Sequence, residues 1–164
     1  MKIKEIQTDL FADYFQFYLL DEELEGDLSD SWTQEACDRF LALAQGTIGV
    51  GTVRNMDVPV TIEIFNTEPK LPLDLTPYDQ INECDLELPS GKLVISGCTE
   101  YFPDAQRIEL EKGLYRTRIY YGNLDKLSED GLDGEDFYHL HLWLSNNKAE
   151  LKIIKQKTPA PNKV

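Results

Sequence analysis

The chain holds two histidines, His139 and His141, and they are two residues apart. On a β-strand this spacing puts both imidazoles on one face, where two ligands of a metal ion can lie. Asp133, Glu135 and Asp136 precede them and would add oxygen donors. The plainer alternative is a wet strand face with two ordinary histidines, because no third ligand of fixed geometry can be named. The segment from Asp125 to Asp136 has six acidic residues, with glycines at 131 and 134. It lacks the spaced carboxylates, central glycine and terminal Glu of a calcium loop, so it reads as a solvated acidic loop. Three cysteines, Cys37, Cys84 and Cys98, cannot all pair. Cys84 stands between two acids, the wrong surroundings for a thiolate nucleophile. The three read as free buried thiols of a reducing, cytoplasmic compartment. Phosphate-cradling glycine loops and the serine elbow are absent. No catalytic residue and no cofactor is expected; the alternative is a metal-binding or enzymatic β-sandwich that uses His139, His141 and the acidic loop 125–136.

What remains is carboxylate chemistry. The chain of 164 residues has 30 Asp and Glu against 16 Lys and Arg, a net charge of −14. That disfavours direct binding of nucleic acid, which needs a basic surface, and of anionic membranes. It favours a basic protein partner, such as a nuclease or toxin, drawn in by its field. The acids are unevenly placed. Between Asp13 and Asp38 there are nine and no Lys or Arg, among them Asp21, Glu22, Glu23, Glu25 and Asp27. Glu83, Asp85 and Glu87 alternate with apolar residues, as do Glu109 and Glu111. On strands each set forms a row on one face, with members about 6.6–6.8 Å apart. Like charges on neighbouring strands repel, so a chain that keeps such rows has a use for them. The expectation is a carboxylate-rich face standing in for the phosphates of a nucleic acid. Tyr14, Tyr18 and Trp32 are the candidate anchors, since aromatic residues dominate interface energetics. Arg116 and Arg118, together on one strand face, would either pair with an acidic row or bind a small anion.

The elements that must hold these residues are mostly strands. Period-two alternation recurs near residues 15–19, 60–65, 83–88, 108–111, 115–121 and 138–144. Further strands are expected at 3–8, 47–54, 92–96 and 151–155. Consecutive runs are too close for crossover helices. The fold class is therefore all-β, an antiparallel β-sandwich of about ten strands. Pro89-Ser90-Gly91 reads as a hairpin turn. One short helix is expected near 33–45, capped by Ser31 or Thr33 and ended by Gly46. Residues 1–156 make one domain and 157–164 a flexible, Pro-rich tail. The charge argues for a monomer when free.

Several of these segments occur in a familiar order. Asp13-Tyr14-Phe15-Gln16-Phe17, in an early strand, precedes an acidic loop and Trp32-Thr33 opening a helix. Gly49-Val50-Gly51-Thr52 and Val58-Pro59-Val60 follow, then Gly113-Leu114-Tyr115-Arg116. The order resembles the competence protein J family of bacterial nuclease inhibitors, over the first third of the chain and the Gly-Tyr strand. The loop at Asp125–Asp136 lies outside that pattern. The resemblance implies a β-sandwich that binds and silences a DNA-degrading enzyme, and it assigns no contact residues.

Overall fold

The structure, a computed structural model, describes residues 1–24 and 26–158. Two sheets pack face to face. The six-stranded sheet runs β1 (Lys2–Phe11), β5 (Asp57–Phe65), β10 (Phe137–Leu144), β9 (Gly113–Gly122), β6 (Gln80–Leu88), β11 (Lys152–Lys155). The five-stranded sheet runs β3 (Leu41–Ala44), β4 (Thr47–Gly51), β2 (Gln16–Asp21), β7 (Lys92–Gly97), β8 (Gln106–Glu109). The core lies between them. Val60, Ile62 and Ile64 of β5, Cys84 and Leu86 of β6, and Leu140 and Leu142 of β10 face Phe17, Leu19, Val50 and Ile95. Each such apolar side chain, fully buried, contributes about 1.5–3 kcal/mol. The alternation that marks these residues in the sequence is thus a sheet with one dry face. One pairing departs from the antiparallel expectation: β10 runs parallel to β5, with Tyr138 opposite Val60.

The expected helix over 33–45 is cut in half. Helix α1 covers Gln34–Arg39, with the Thr33 hydroxyl accepting from the Ala36 amide at 3.2 Å. Phe40 ends it in the left-handed region, φ 60°, and its carbonyl accepts from the Tyr121 hydroxyl at 2.6 Å. Beyond it Leu41 and Leu43 turn to the core while Ala42 and Ala44 pack under Leu28 and Ala36. That is period two, so these four residues form β3. Gly46, φ 65°, turns the chain from β3 into β4 instead of ending the helix.

Pro89-Ser90-Gly91 is also not a hairpin. β6 pairs with β9 and β11, whereas β7 pairs with β2 and β8, so the turn carries the chain between sheets. Asp21 fixes this corner. Its carboxylate is fully buried and accepts from the Ser90 amide at 3.0 Å, the Ser90 hydroxyl at 2.7 Å and the Glu23 amide at 2.9 Å. The segment 13–15, expected in a strand, is a 3-10 turn, and β2 starts only at Gln16. Lys157 docks through its amide on Gln80 Oε1 at 2.8 Å and through Nζ on Asp125 at 3.1 Å. The rest of the expected tail, from residue 159, lies outside the described residues. Among the described residues no helix is long and apolar enough to cross a membrane.

Candidate interaction face

The outer face of the five-stranded sheet carries most of the aromatic candidates. On β2 the side chains of Tyr18 and Leu20 point away from the core, with Gly49 of β4 and Ser96 of β7 flanking Tyr18. Gly49 leaves the sheet bare there, and the loop before α1 lies down on it. A Cβ at 49 would sit 2.8 Å from Leu28 Cδ1 and 3.1 Å from Trp32 Cζ2. Across the sheet, Phe102 and Ala105 cover Leu20 and Val94. The space between these two covers is a cleft of about 550 Å³. Tyr18, Trp32 and Phe102 line it, with Asp27, Glu100 and Cys98.

Its polar atoms form a directed chain. The Trp32 indole can only donate, so Gln16 presents Oε1 to it at 2.9 Å. The Tyr18 hydroxyl lies 2.9 Å from the same oxygen and 3.1 Å from Cys98 Sγ. Both lone pairs of Gln16 Oε1 are thereby used, and Tyr18 and Trp32 are held rigid. Burial and the neighbouring Cys98 push the Tyr18 phenol above its ordinary range. Cys98 is half-buried at this cleft and Cys37 is exposed, contrary to the expectation of three buried thiols; Cys84 alone is enclosed, and burial pushes its thiol up to about 12.

Beside the cleft stand Tyr14 and Phe15, 70% and 52% exposed. Both have left-handed backbones, φ 56° and 61°, which for bulky residues cost of order 1–3 kcal/mol each. The surroundings enforce them: the Phe15 amide donates to Ala12 O at 3.0 Å and the Phe15 carbonyl accepts from the Thr52 amide at 2.9 Å. Asp13 caps the turn at the Tyr14 amide and receives the Thr99 hydroxyl. A hollow of about 380 Å³ lies between Tyr14, Phe15, Trp32 and Phe40. Trp32 is thus a wall of both hollows, and Tyr101, 69% exposed, follows Glu100. Exposed rings, strained backbone and the carboxylates of Asp13, Asp27 and Glu100 share one region.

The acidic candidates are distributed otherwise than as one surface. Glu23 and Asp27 are exposed, and the Ser29 hydrogen bonds hold the Asp27 carboxyl below its usual range. Glu22 is bound by Arg107 at 2.7 Å and Lys92 at 3.5 Å, and the Arg107 hydrogen bond lowers its carboxyl. Glu25 lies outside the described residues. Asp21 is the buried corner clamp described above and faces no partner.

Glu83, Asp85 and Glu87 do share the outer face of the six-stranded sheet, but that face is covered. Glu83 is buried and meets Arg118 at 2.8 Å and Arg116 at 3.3 Å; Arg116 also reaches Asp85 at 3.1 Å. The arginines thus pair with the acidic row. Arg118 also donates to the Pro69 carbonyl and Arg116 to those of Ala149 and Glu150, so two loops are tied over the row. Glu87 is half-buried. Glu109 and Glu111 are exposed, at and just past the end of β8 in the opposite sheet. The two rows therefore look in different directions.

His139 and His141 also lie on the covered sheet. His141 sits between Phe65 and Tyr120, ring centroids 5.0 Å away on each side, and His139 stacks on Phe137 at 4.7 Å. The nearest acid, Glu63, is 4.0 Å from His141 Nε2, too long for a hydrogen bond. Asp136 faces the other way, buried against Arg54 Nε at 2.7 Å and the Tyr138 hydroxyl at 2.8 Å. Among the described residues no three His, Cys, Asp or Glu side chains gather as metal ligands would. Asp136 is thus turned away from the histidines, and Asp133 and Glu135 lie in the loop before β10 begins. Gln16, Cys98 and Glu100 were not legible as site residues, because only the pairing of β2 with β4 and β7 unites them with Trp32.

No family model matches the chain, and no curated protein does. Two solved structures are similar. One is ComJ from Bacillus subtilis, inhibitor of the DNA degrading activity of NucA, with 17% identity over 88% of this chain and 98% of that one, at TM-score 0.63. The other is described as crocagin biosynthetic gene J, with 16% identity over 85% of this chain and 95% of that one, at TM-score 0.53. The chain has the ComJ fold, the β-sandwich that its early motifs imply.

Proposed function

We propose that the protein binds and silences a nuclease, with the Tyr14–Phe15 turn and the Trp32 cleft at the centre of the contact. The observation that supports this best is the pair of exposed aromatic residues held in a strained turn beside Asp13, Asp27 and Glu100. Backbone strain of this kind persists where function uses it. Rigid rings at the centre of a patch with a charged rim are how interfaces gain residence time. ComJ, of the same fold, inhibits a DNA-degrading enzyme. The net charge of −14 suits a basic partner and opposes direct binding of nucleic acid. In this reading the protein is a cytoplasmic monomer when free. Glu23, Asp27, Glu109 and Glu111 supply the steering field.

The test is cleavage of DNA by a basic nuclease of the NucA type, with and without equimolar protein. The expected result is inhibition, with an association rate that falls as salt rises. Replacing Tyr14 and Phe15 together by Ala should weaken binding by roughly 30-fold or more, the cost of losing a hot spot. Undiminished cleavage, or association indifferent to salt, would sink the reading.

A further inference from the structure

We propose that the cleft between Trp32 and Phe102 receives an arginine side chain of the partner. This rests on the reading that this face meets a basic protein. The walls and floor are aromatic: Trp32, Phe102 and Tyr18. The carboxylates of Asp27 and Glu100 belong to the same lining, and no Lys or Arg does among the described residues. A guanidinium is planar and weakly hydrated, stacks on aromatic rings and takes carboxylates in a fork.

The free acceptors fit that group. Asp27 is exposed at the cleft and accepts from Ser29 through the amide at 2.9 Å and through its side chain, which leaves lone pairs for a second donor. Glu100 has Oε2 on the Gly97 amide at 3.0 Å and Oε1 open. Gln16 Oε1, in contrast, is saturated by Trp32 and Tyr18, so it holds the rings and leaves the cation to the carboxylates. An apolar occupant would strip water from both carboxylates without replacing it. An ammonium would meet the charge but lacks a plane to lay on Trp32. The chain already uses this chemistry twice, the first time at Arg118, which lies 5.0 Å from the Trp143 ring centroid and donates to Glu83 at 2.8 Å. Arg107 lays its guanidinium 4.7 Å from the centroid of Phe102 and donates to Glu22 at 2.7 Å.

The probe is N-acetyl-arginine amide, titrated into the free protein while the Trp32 indole N–H is followed by NMR. N-acetyl-lysine amide and N-acetyl-norleucine amide are the comparators. The expected result is a saturable shift with arginine, at least fivefold tighter than with norleucine and tighter than with lysine. The double variant Asp27→Asn, Glu100→Gln keeps the acceptors for Ser29 and Gly97. It should weaken arginine roughly three- to fivefold or more, as loss of solvent-facing ion pairs does, while the Tyr18 and Trp32 signals stay in place. No saturable shift, or equal affinity for norleucine, overturns the proposal. Nuclease inhibition that is unchanged in the double variant also overturns the cleft's role and leaves silencing intact. A saturable arginine site in a protein that inhibits no nuclease supports the cleft and defeats the functional reading instead.

Discussion

At Glu83 one carboxylate meets two guanidinium groups, and all three side chains are at most 10% exposed. Removing it leaves Arg116 with Asp85 alone and Arg118 without a carboxylate, both away from water. Glu83→Ala should cost about 3–5 kcal/mol, the usual result of breaking a buried ion pair. Glu87→Ala, two residues along the same face, should change stability by no more than about 0.5 kcal/mol. Urea denaturation of the two variants checks the contrast. His141 makes a second residue-scale case. Burial first, then Arg118, His139 and Lys2, pull its pKa from 6.5 down to about 4. The unfolded chain therefore binds a proton on this residue at higher pH than the folded one. Stability is whole above pH 6.5 and is lost as the pH falls through the window from 6.5 to about 4. His141→Phe, whose ring fits between Phe65 and Tyr120, should flatten that acid limb, as read from denaturation midpoints at pH 7 and pH 5. Parity correctly put Glu83, Asp85 and Glu87 on one face. That the row is paired and largely covered depends on Arg116 and Arg118 arriving from β9, more than thirty residues away, and on two loops that no local pattern reveals.

Elements carry the site through close approach. Gly49 sits where β4 must let Leu28 and Trp32 down onto the sheet. A Gly49→Val exchange pushes Trp32 off its seat, breaks its hydrogen bond to Gln16 and spreads both hollows. The expected outcome is a folded protein with a red-shifted, more exposed Trp32 emission, read in a Trp143→Phe background, and nuclease affinity lowered roughly tenfold or more. Ten of the eleven strands are legible in the sequence, six of them as period-two runs with one face in the core and four as shorter apolar segments. β3 is the exception. Ala36, Phe40, Leu41, Leu43 and Ala44 also satisfy a helical stripe, and only the αL residue Phe40, clamped by Tyr121, converts the second half to a strand. The corner at Pro89-Ser90-Gly91 has the composition of a hairpin, and only the buried Asp21 distinguishes a change of sheet. Tyr14 and Phe15 fit a strand by sequence, because left-handed backbones are rare for aromatic side chains.

Across the whole molecule, charge is sorted by depth. The chain has five arginines. Arg54, Arg107, Arg116 and Arg118 are bound to carboxylates, and Arg39 donates to the Leu41 carbonyl. The strongest cations thus neutralise Asp136, Glu22, Glu83 and Asp85 within the structure. Lysines are left to balance the acids outside, and there are too few. The excess of acid in the composition becomes a negative exterior with rigid rings set in it. The sequence shows the excess, but where it emerges depends on which carboxylates the arginines take.

The parallel pairing of β5 with β10 has a consequence in time. β1 and β5 form a ribbon that joins the rest of its sheet only through β10. Val60 leaves the ribosome with its neighbours Val58, Ile62 and Ile64, and their strand partner Tyr138 is still to be synthesised. At ordinary rates of translation the interval is on the order of ten seconds. For that interval the ribbon's apolar stripe lacks its neighbouring strand. The sheet can therefore close around β5 only when the last strands arrive.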